Sequence, residues 1–181
     1  PHLTGGTRWQ FPAYDPDTHI AYSASNDGCF IMPVTATEAL GADGGINVQE
    51  GGGLFGMNDF ALFNTGTTDY HGEILAVNNA TGERVAEHTR PYAYLGGVVA
   101  TSGGLVFTTN TDGTVLAYDS SNLDELWTFD TGIPTRGSPI SYAVDGKQYI
   151  AVLVGAGPQT FGGADALANM LPGAMLYVFS L

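Results

Sequence analysis

The feature that most constrains this chain is a repeated turn. Ala76-Val-Asn78-Asn-Ala-Thr81-Gly82 leads into Glu83–Ala86, and Ala117-Tyr-Asp119-Ser-Ser-Asn122-Leu123 leads into Asp124–Trp127, 41 residues later. Both read Ala-x-Asp/Asn, then a polar turn, then an outgoing strand. A weaker copy, Ala13-Tyr-Asp15-Pro-Asp-Thr18-His19, lies 63 residues before the first. An Asp or Asn side chain accepts hydrogen bonds from backbone N–H groups two residues on, which closes an Asx-turn. Glycine after threonine supplies the positive φ that completes the reversal. The extra spacing of the weak copy falls on Thr35–Thr68, a Gly-, Asn- and Thr-rich stretch that reads as an inserted loop near 35–68.

Short runs rich in Val, Ile, Tyr, Phe and Thr fill the space between turns. They are Ile20–Ser25, Cys29–Met32, Glu73–Val77, Val98–Thr101, Leu105–Thr109, Thr114–Tyr118, Glu125–Phe129, Ile140–Val144, Gln148–Val154 and Met175–Phe179. Asn26-Asp27-Gly28, Thr111-Asp112-Gly113 and Asp145-Gly146 punctuate them as hairpin turns. Glycine reaches 26 of 181 residues, about twice the ordinary share of roughly 7%. Only Ala164–Met170 carries any helical period. The chain therefore reads as all-β, one domain over 1–181. A period near 40 residues is the spacing of a four-stranded β-propeller blade. Trp127 is expected to wedge between neighbouring blades and bury about 150–250 Å².

Charge excludes some functions. Lys+Arg is 5 against Asp+Glu 18, a formal net charge of −13. Nucleic acid and anionic membrane surfaces need basic patches, so neither is an expected partner. A single cysteine, Cys29, allows neither an internal disulfide nor a CxxC metal site, and reads as a buried thiol or the disulfide partner of another chain. No apolar run approaches the roughly 20 residues of a membrane span. Gly51-Gly52-Gly53 has no following Lys or helix and fails as a phosphate loop. His2, His19, His71 and His88 are scattered without ligand spacing and read as turn or surface residues. The chain starts at Pro1, with no Met and no signal peptide, and reads as a processed product or a piece of a longer polypeptide.

Four ordered blocks carry a family resemblance. Gly5-Gly-Thr-Arg8-Trp9-Gln-Phe-Pro-Ala-Tyr-Asp15-Pro-Asp-Thr18 is similar to GGxNWxPxAYDPxTG. Gly96-Gly-Val-Val-Ala-Thr-Ser-Gly-Gly-Leu-Val-Phe107 is similar to GGVLATAGGLVF, and Ser138-Pro-Ile-Ser-Tyr-Ala-Val-Asp-Gly-Lys-Gln-Tyr149 to SPxTYxxDGxQY. Leu176-Tyr-Val-Phe179 resembles the terminal strand. The repeated turn ending in Trp127 resembles a tryptophan-docking motif. Together these resemble the C-terminal part of the pyrroloquinoline-quinone (PQQ) dependent alcohol dehydrogenases, of the methanol and ethanol type.

The resemblance implies an eight-bladed propeller, of which this chain supplies three to four blades. The N-terminal part of the ring, as a separate chain or segment, completes it. It implies oxidation of a small alcohol by hydride transfer to PQQ, assisted by Ca²⁺ or a lanthanide, with electrons passed to a cytochrome c in the periplasm. The metal ligands and the proton-accepting Asp belong to family segments upstream of Pro1, so no catalytic or metal-ligating residue is assigned here. What remains is one wall of the PQQ pocket: Arg8, where the family has Asn, Trp9, Leu95, where many members have Trp, and Gly96. The departures at Arg8 and Leu95 also keep open a PQQ-free propeller that acts as a binding or scaffold module. The Gly/Ala-rich stretch from Gly155 to Gly173 reads either as a cap on the substrate entrance or as plain surface loop.

Overall fold

A computed structural model describes residues 6, 7, 9–28, 71–155 and 173–181. Eleven strands and no helix occur among them. The first sheet contains β1 (Ala13–Asp15), β2 (Ile20–Asp27), β3 (His71–Asn78) and β4 (Arg84–Arg90). The second contains β5 (Val99–Ala100), β6 (Leu105–Thr109), β7 (Thr114–Asp119) and β8 (Glu125–Asp130). The third contains β9 (Ile140–Val144), β10 (Lys147–Val154) and β11 (Met175–Ser180). Each sheet is an antiparallel meander in chain order, so every strand pairs with its neighbours in sequence. The first strands of the first two sheets, β1 and β5, adjoin.

The sheets stack face to face with the second in the middle. Tyr22, Ala24, Ile74 and Ala76 of the first sheet pack against Val106, Leu116, Tyr118 and Leu123 of the second. The other face of the second sheet, Phe107, Val115 and Ala117, packs against Ile150, Val152 and Val154 of the third. This explains the sequence of β7, TVLAYD, in which the four central residues are all buried. A strand covered on both faces has no solvent side on which to place polar residues. Polar ties add to the apolar contact. The Tyr22 hydroxyl donates to the Ser120 carbonyl at 2.9 Å. Arg90 of β4 reaches across to Glu125 at 2.7 Å and Asp112 at 3.5 Å.

The repeated turn forms as its chemistry requires. The Asp15, Asn78 and Asp119 side chains each accept the N–H of the residue two positions on, at 3.0, 2.9 and 2.7 Å. Four residues after each stands a backbone with positive φ: His19, Gly82 and Leu123. The turn tolerates a side chain at that corner in two of its three uses. The weak copy occupies a different corner, however. Asn78 and Asp119 close third strands, whereas Asp15 closes a first strand. Its odd spacing follows from that, together with the long stretch from Gly28 to Tyr70 that joins β2 to β3. The proposed loop near 35–68, the Cys29–Met32 strand and the Ala164–Met170 helix lie outside the described residues.

Two expectations change in detail. Asn26 and Asp27, read as a turn, extend β2 and pair with Gly72 and His71. Trp127 does bridge two sheets, with its ring 5.0 Å edge-on to Phe179 of β11 and stacked on Phe129, but it stays 38% exposed. It lies on β8, the last strand of its sheet, where part of the indole remains open to solvent.

The third sheet leaves one face bare. By register, Ile140, Tyr142, Val144, Tyr149, Leu153, Leu176 and Val178 share the side facing away from the second sheet, and all but Tyr149 are exposed. Among the described residues no helix is long and apolar enough to cross a membrane.

Because half the indole contact is present, Trp127→Ala is expected to lower stability by about 2–3 kcal/mol, less than a fully buried Trp truncation. Denaturant unfolding checks this, and an unchanged midpoint would remove Trp127 from the sheet-to-sheet contact.

Candidate functional site at the mouth of the sheets

One end of the sheets gathers the segments that precede each first strand. There β4 passes to β5 through residues 91–98, and β8 passes to β9 through 131–139. The 9–12 segment enters β1 at the same end, bonded to the first of these connections by Val98 N–H to the Phe11 carbonyl at 2.9 Å.

Buried amide and hydroxyl side chains hold these connections. Gln10 Nε2 and Asn26 Nδ2 both donate to the Tyr94 carbonyl at 2.9 Å, and the Tyr94 N–H donates to Asn26 Oδ1 at 2.7 Å. Gln10 and Asn26 are buried. The motif recurs one sheet on, where Asn110 Nδ2 donates to the Tyr92 carbonyl at 2.9 Å and the Thr111 hydroxyl to that of Ala93 at 3.0 Å. Further in, Thr108 and Thr109 hydroxyls donate to the Gly97 and Gly137 carbonyls at 3.0 and 2.7 Å, and Gly97 N–H donates to Ser138 Oγ at 2.7 Å. Asn26 and Thr109, at the ends of β2 and β6, thus staple the connections that run on to the next sheet. A Cβ on Gly96 would sit under 3.0 Å from Thr109 Oγ1 and the Gly137 carbonyl oxygen, so the Gly96-Gly97 pair is required by packing.

The structure brings three of the four expected wall residues to this mouth and treats them differently. Trp9 is 50% exposed. Leu95 is 1% exposed, with its side chain in the protein interior. Gly96 is buried, its side-chain direction filled by neighbouring strands. Neither Leu95 nor Gly96 exposes a side chain here. Arg8 lies outside the described residues. Sequence reasoning missed Gln10 and Asn26. A signal existed for Asn26, since it continues the every-second-residue burial of Tyr22 and Ala24 on β2.

Beneath the mouth, the Tyr94 and Tyr118 hydroxyls share a buried hydrogen bond of 2.9 Å. Burial pushes the Tyr118 phenol up to about 12 and raises Tyr94 further. Both stay protonated at neutral pH and serve as hydrogen-bonding groups rather than bases. His88 packs against Tyr118 with ring centroids 4.8 Å apart and the planes tilted by 51°, and burial lowers its pKa below the ordinary value despite Glu125 nearby. Among the described residues, the two phenols of Tyr94 and Tyr118 are hydrogen-bonding groups and not bases.

Known proteins share this fold. Residues 63–150 match the model of the PQQ family described as "Glucose/ethanol/alcohol dehydrogenase, beta-propeller domain". The whole chain aligns at 31% identity with the quinoprotein alcohol dehydrogenase PedH of Pseudomonas putida, covering 29% of that protein. It aligns at 32% with a quinoprotein ethanol dehydrogenase of Pseudomonas aeruginosa, covering 28%. The crystal structure of the quinohemoprotein alcohol dehydrogenase from Comamonas testosteroni superposes on 98% of this chain and 26% of its own, with a TM-score of 0.69 at 23% identity. The fold is a β-propeller arc. Over its whole length the chain is similar to quinoprotein alcohol dehydrogenases, and it spans less than a third of the length of these relatives.

Asn26→Ala removes a donor and an acceptor from the buried Tyr94 backbone, and is expected to lower stability by about 2–3 kcal/mol, measured by denaturant unfolding against Asn122→Ala on the surface. Protonation of His88 is disfavoured in the folded state, so its contribution is intact above about pH 6.5 and is lost as pH falls through its lowered folded value. Thermal melts from pH 7 to 5 are expected to show a fall that His88→Gln reduces.

Proposed function

We propose that this chain is a sector of the propeller of a PQQ-dependent alcohol dehydrogenase and forms one wall of its cofactor pocket. The observation that carries this reading is convergence. Two segments far apart in sequence, 5–9 and 95–96, resemble the family's cofactor wall. Their neighbours Gln10, Phe11, Tyr94 and Val98 are hydrogen bonded to one another at one mouth.

The residues present fit PQQ as a wall. Trp9 offers a half-open planar ring to a flat quinone, and the backbone at Leu95 and Gly96 is fixed by buried staples, so its N–H and C=O groups are preorganised. Arg8, beside Trp9 in sequence, supplies a permanent cation suited to a quinone oxygen or a carboxylate. Bound PQQ supplies the hydride acceptor for alcohol oxidation, and Ca²⁺ or a lanthanide beside it supplies Lewis acidity. The residues of this chain orient the cofactor and exclude water from one side.

The remainder of the ring is the expected neighbour of the bare face on the third sheet. An exposed apolar sheet face with two intact sheet contacts behind it is continuous in kind with the interfaces already formed. The strongly acidic chain favours a basic cytochrome c as electron acceptor through long-range attraction. The proposed setting is the periplasm, on the family resemblance.

Absorbance of the intact protein tests the reading. The near-ultraviolet band of PQQ is expected, with a change on adding a small alcohol, and Trp9→Ala is expected to lower PQQ content without lowering the thermal midpoint. Intact protein without PQQ and without metal would overturn the enzyme reading and leave a propeller that acts as a scaffold.

A further inference from the structure

The structure assigns a second cluster, which scattered sequence positions concealed. We propose that Asp27, His71 and Glu73 form a divalent transition-metal site of the zinc type at the root of the β2–β3 connection. Asp27 and His71 are directly opposed in the antiparallel register, so their side chains leave the same face. Glu73 is two residues beyond His71 on β3 and shares that face. The three donor atoms lie within 4.8 Å of one another. His71 Nε2 and Glu73 Oε1 are 3.1 Å apart, close to the roughly 3.4 Å between neighbouring donors around a tetrahedral ion with bonds of about 2.1 Å.

The donor set selects the metal. One imidazole with two carboxylates suits zinc and its neighbours, whereas Ca²⁺ and Mg²⁺ take oxygen ligands, Ca²⁺ six or more of them. Three protein donors leave a fourth position for water, the arrangement of an open zinc site. Asp27 is oriented for the task, since Oδ1 accepts the Gly28 N–H at 2.8 Å and leaves Oδ2 available. The Glu73 side chain is only 13% exposed and His71 30%, while Asp27 is exposed, which gives an ion both a partly desolvated seat and an entry. Among the described residues, the cationic group recorded beside Glu73 is the titratable imidazole of His71. A bound cation neutralises two carboxylates on one face and ties together the two strand ends from which residues 28–70 depart.

The test uses the intact protein, stripped with chelator and then returned to excess Ca²⁺ so that an oxygen-ligand site does not contribute. Zinc is added and bound metal counted by elemental analysis. The wild type is expected to bind one more Zn²⁺ than His71→Gln, with affinity lowered at least tenfold in Glu73→Gln. Co²⁺ is expected to give visible d–d bands in the wild type and not in His71→Gln. Zinc is also expected to raise the thermal midpoint of the wild type alone. Equal zinc content in wild type and His71→Gln, or identical Co²⁺ spectra, would overturn the site and leave a His–Glu hydrogen bond only. Should His71→Gln fail to fold, Asp27→Asn, at the exposed donor, reads out the same two measurements.

Discussion

Face-to-face packing of small antiparallel sheets is the constraint on which everything else here depends. A four-stranded meander of two- to eight-residue strands has two faces and too little interior to be stable by itself. The second sheet meets this by being apolar on both sides and lying between two others. Its neighbours can then be apolar on the inner side and mixed on the outer. The order of sheets in space follows the order in sequence, so each strand pairs with its neighbour in the chain, most of them through short turns and two, β2–β3 and β10–β11, across long connections.

Given that packing, the ends of the sheets become the places where function is possible. The chain must cross from the last strand of one sheet to the first of the next, and the crossing leaves backbone groups that no ladder satisfies. Gln10, Asn26, Asn110, Thr108 and Thr109 satisfy them from below. The same staples make the mouth rigid, and rigidity is what a cofactor wall needs. The Asn26 amide serves stability and placement at once, and a change there is felt in both.

The all-β reading, most strands and the Asx-turns were legible because their causes are local: alternation, β-branched residues, and Asp or Asn two residues before an N–H. The mismatch of the Ala13 copy shows the limit of that reasoning, since one turn chemistry serves two corners of a sheet. Leu95 shows another limit. Resemblance marked it as a wall residue, and only the packed structure reveals that its side chain is buried in the protein interior. The Asp27–His71–Glu73 cluster was invisible in sequence for a third reason. Its members are neighbours only through strand register across a long connection, and no spacing rule anticipates that.

The uncovered side of β9, β10 and β11 carries a consequence for how the chain reaches its folded form. Ile140, Val144, Leu153, Leu176 and Val178 present a flat, sticky surface to water. While they remain wet, the same surface on another copy is a ready substitute for the proper neighbour. Self-association then competes with folding, and does so more strongly as concentration rises. Chaperones that shield apolar strands would act at this place first.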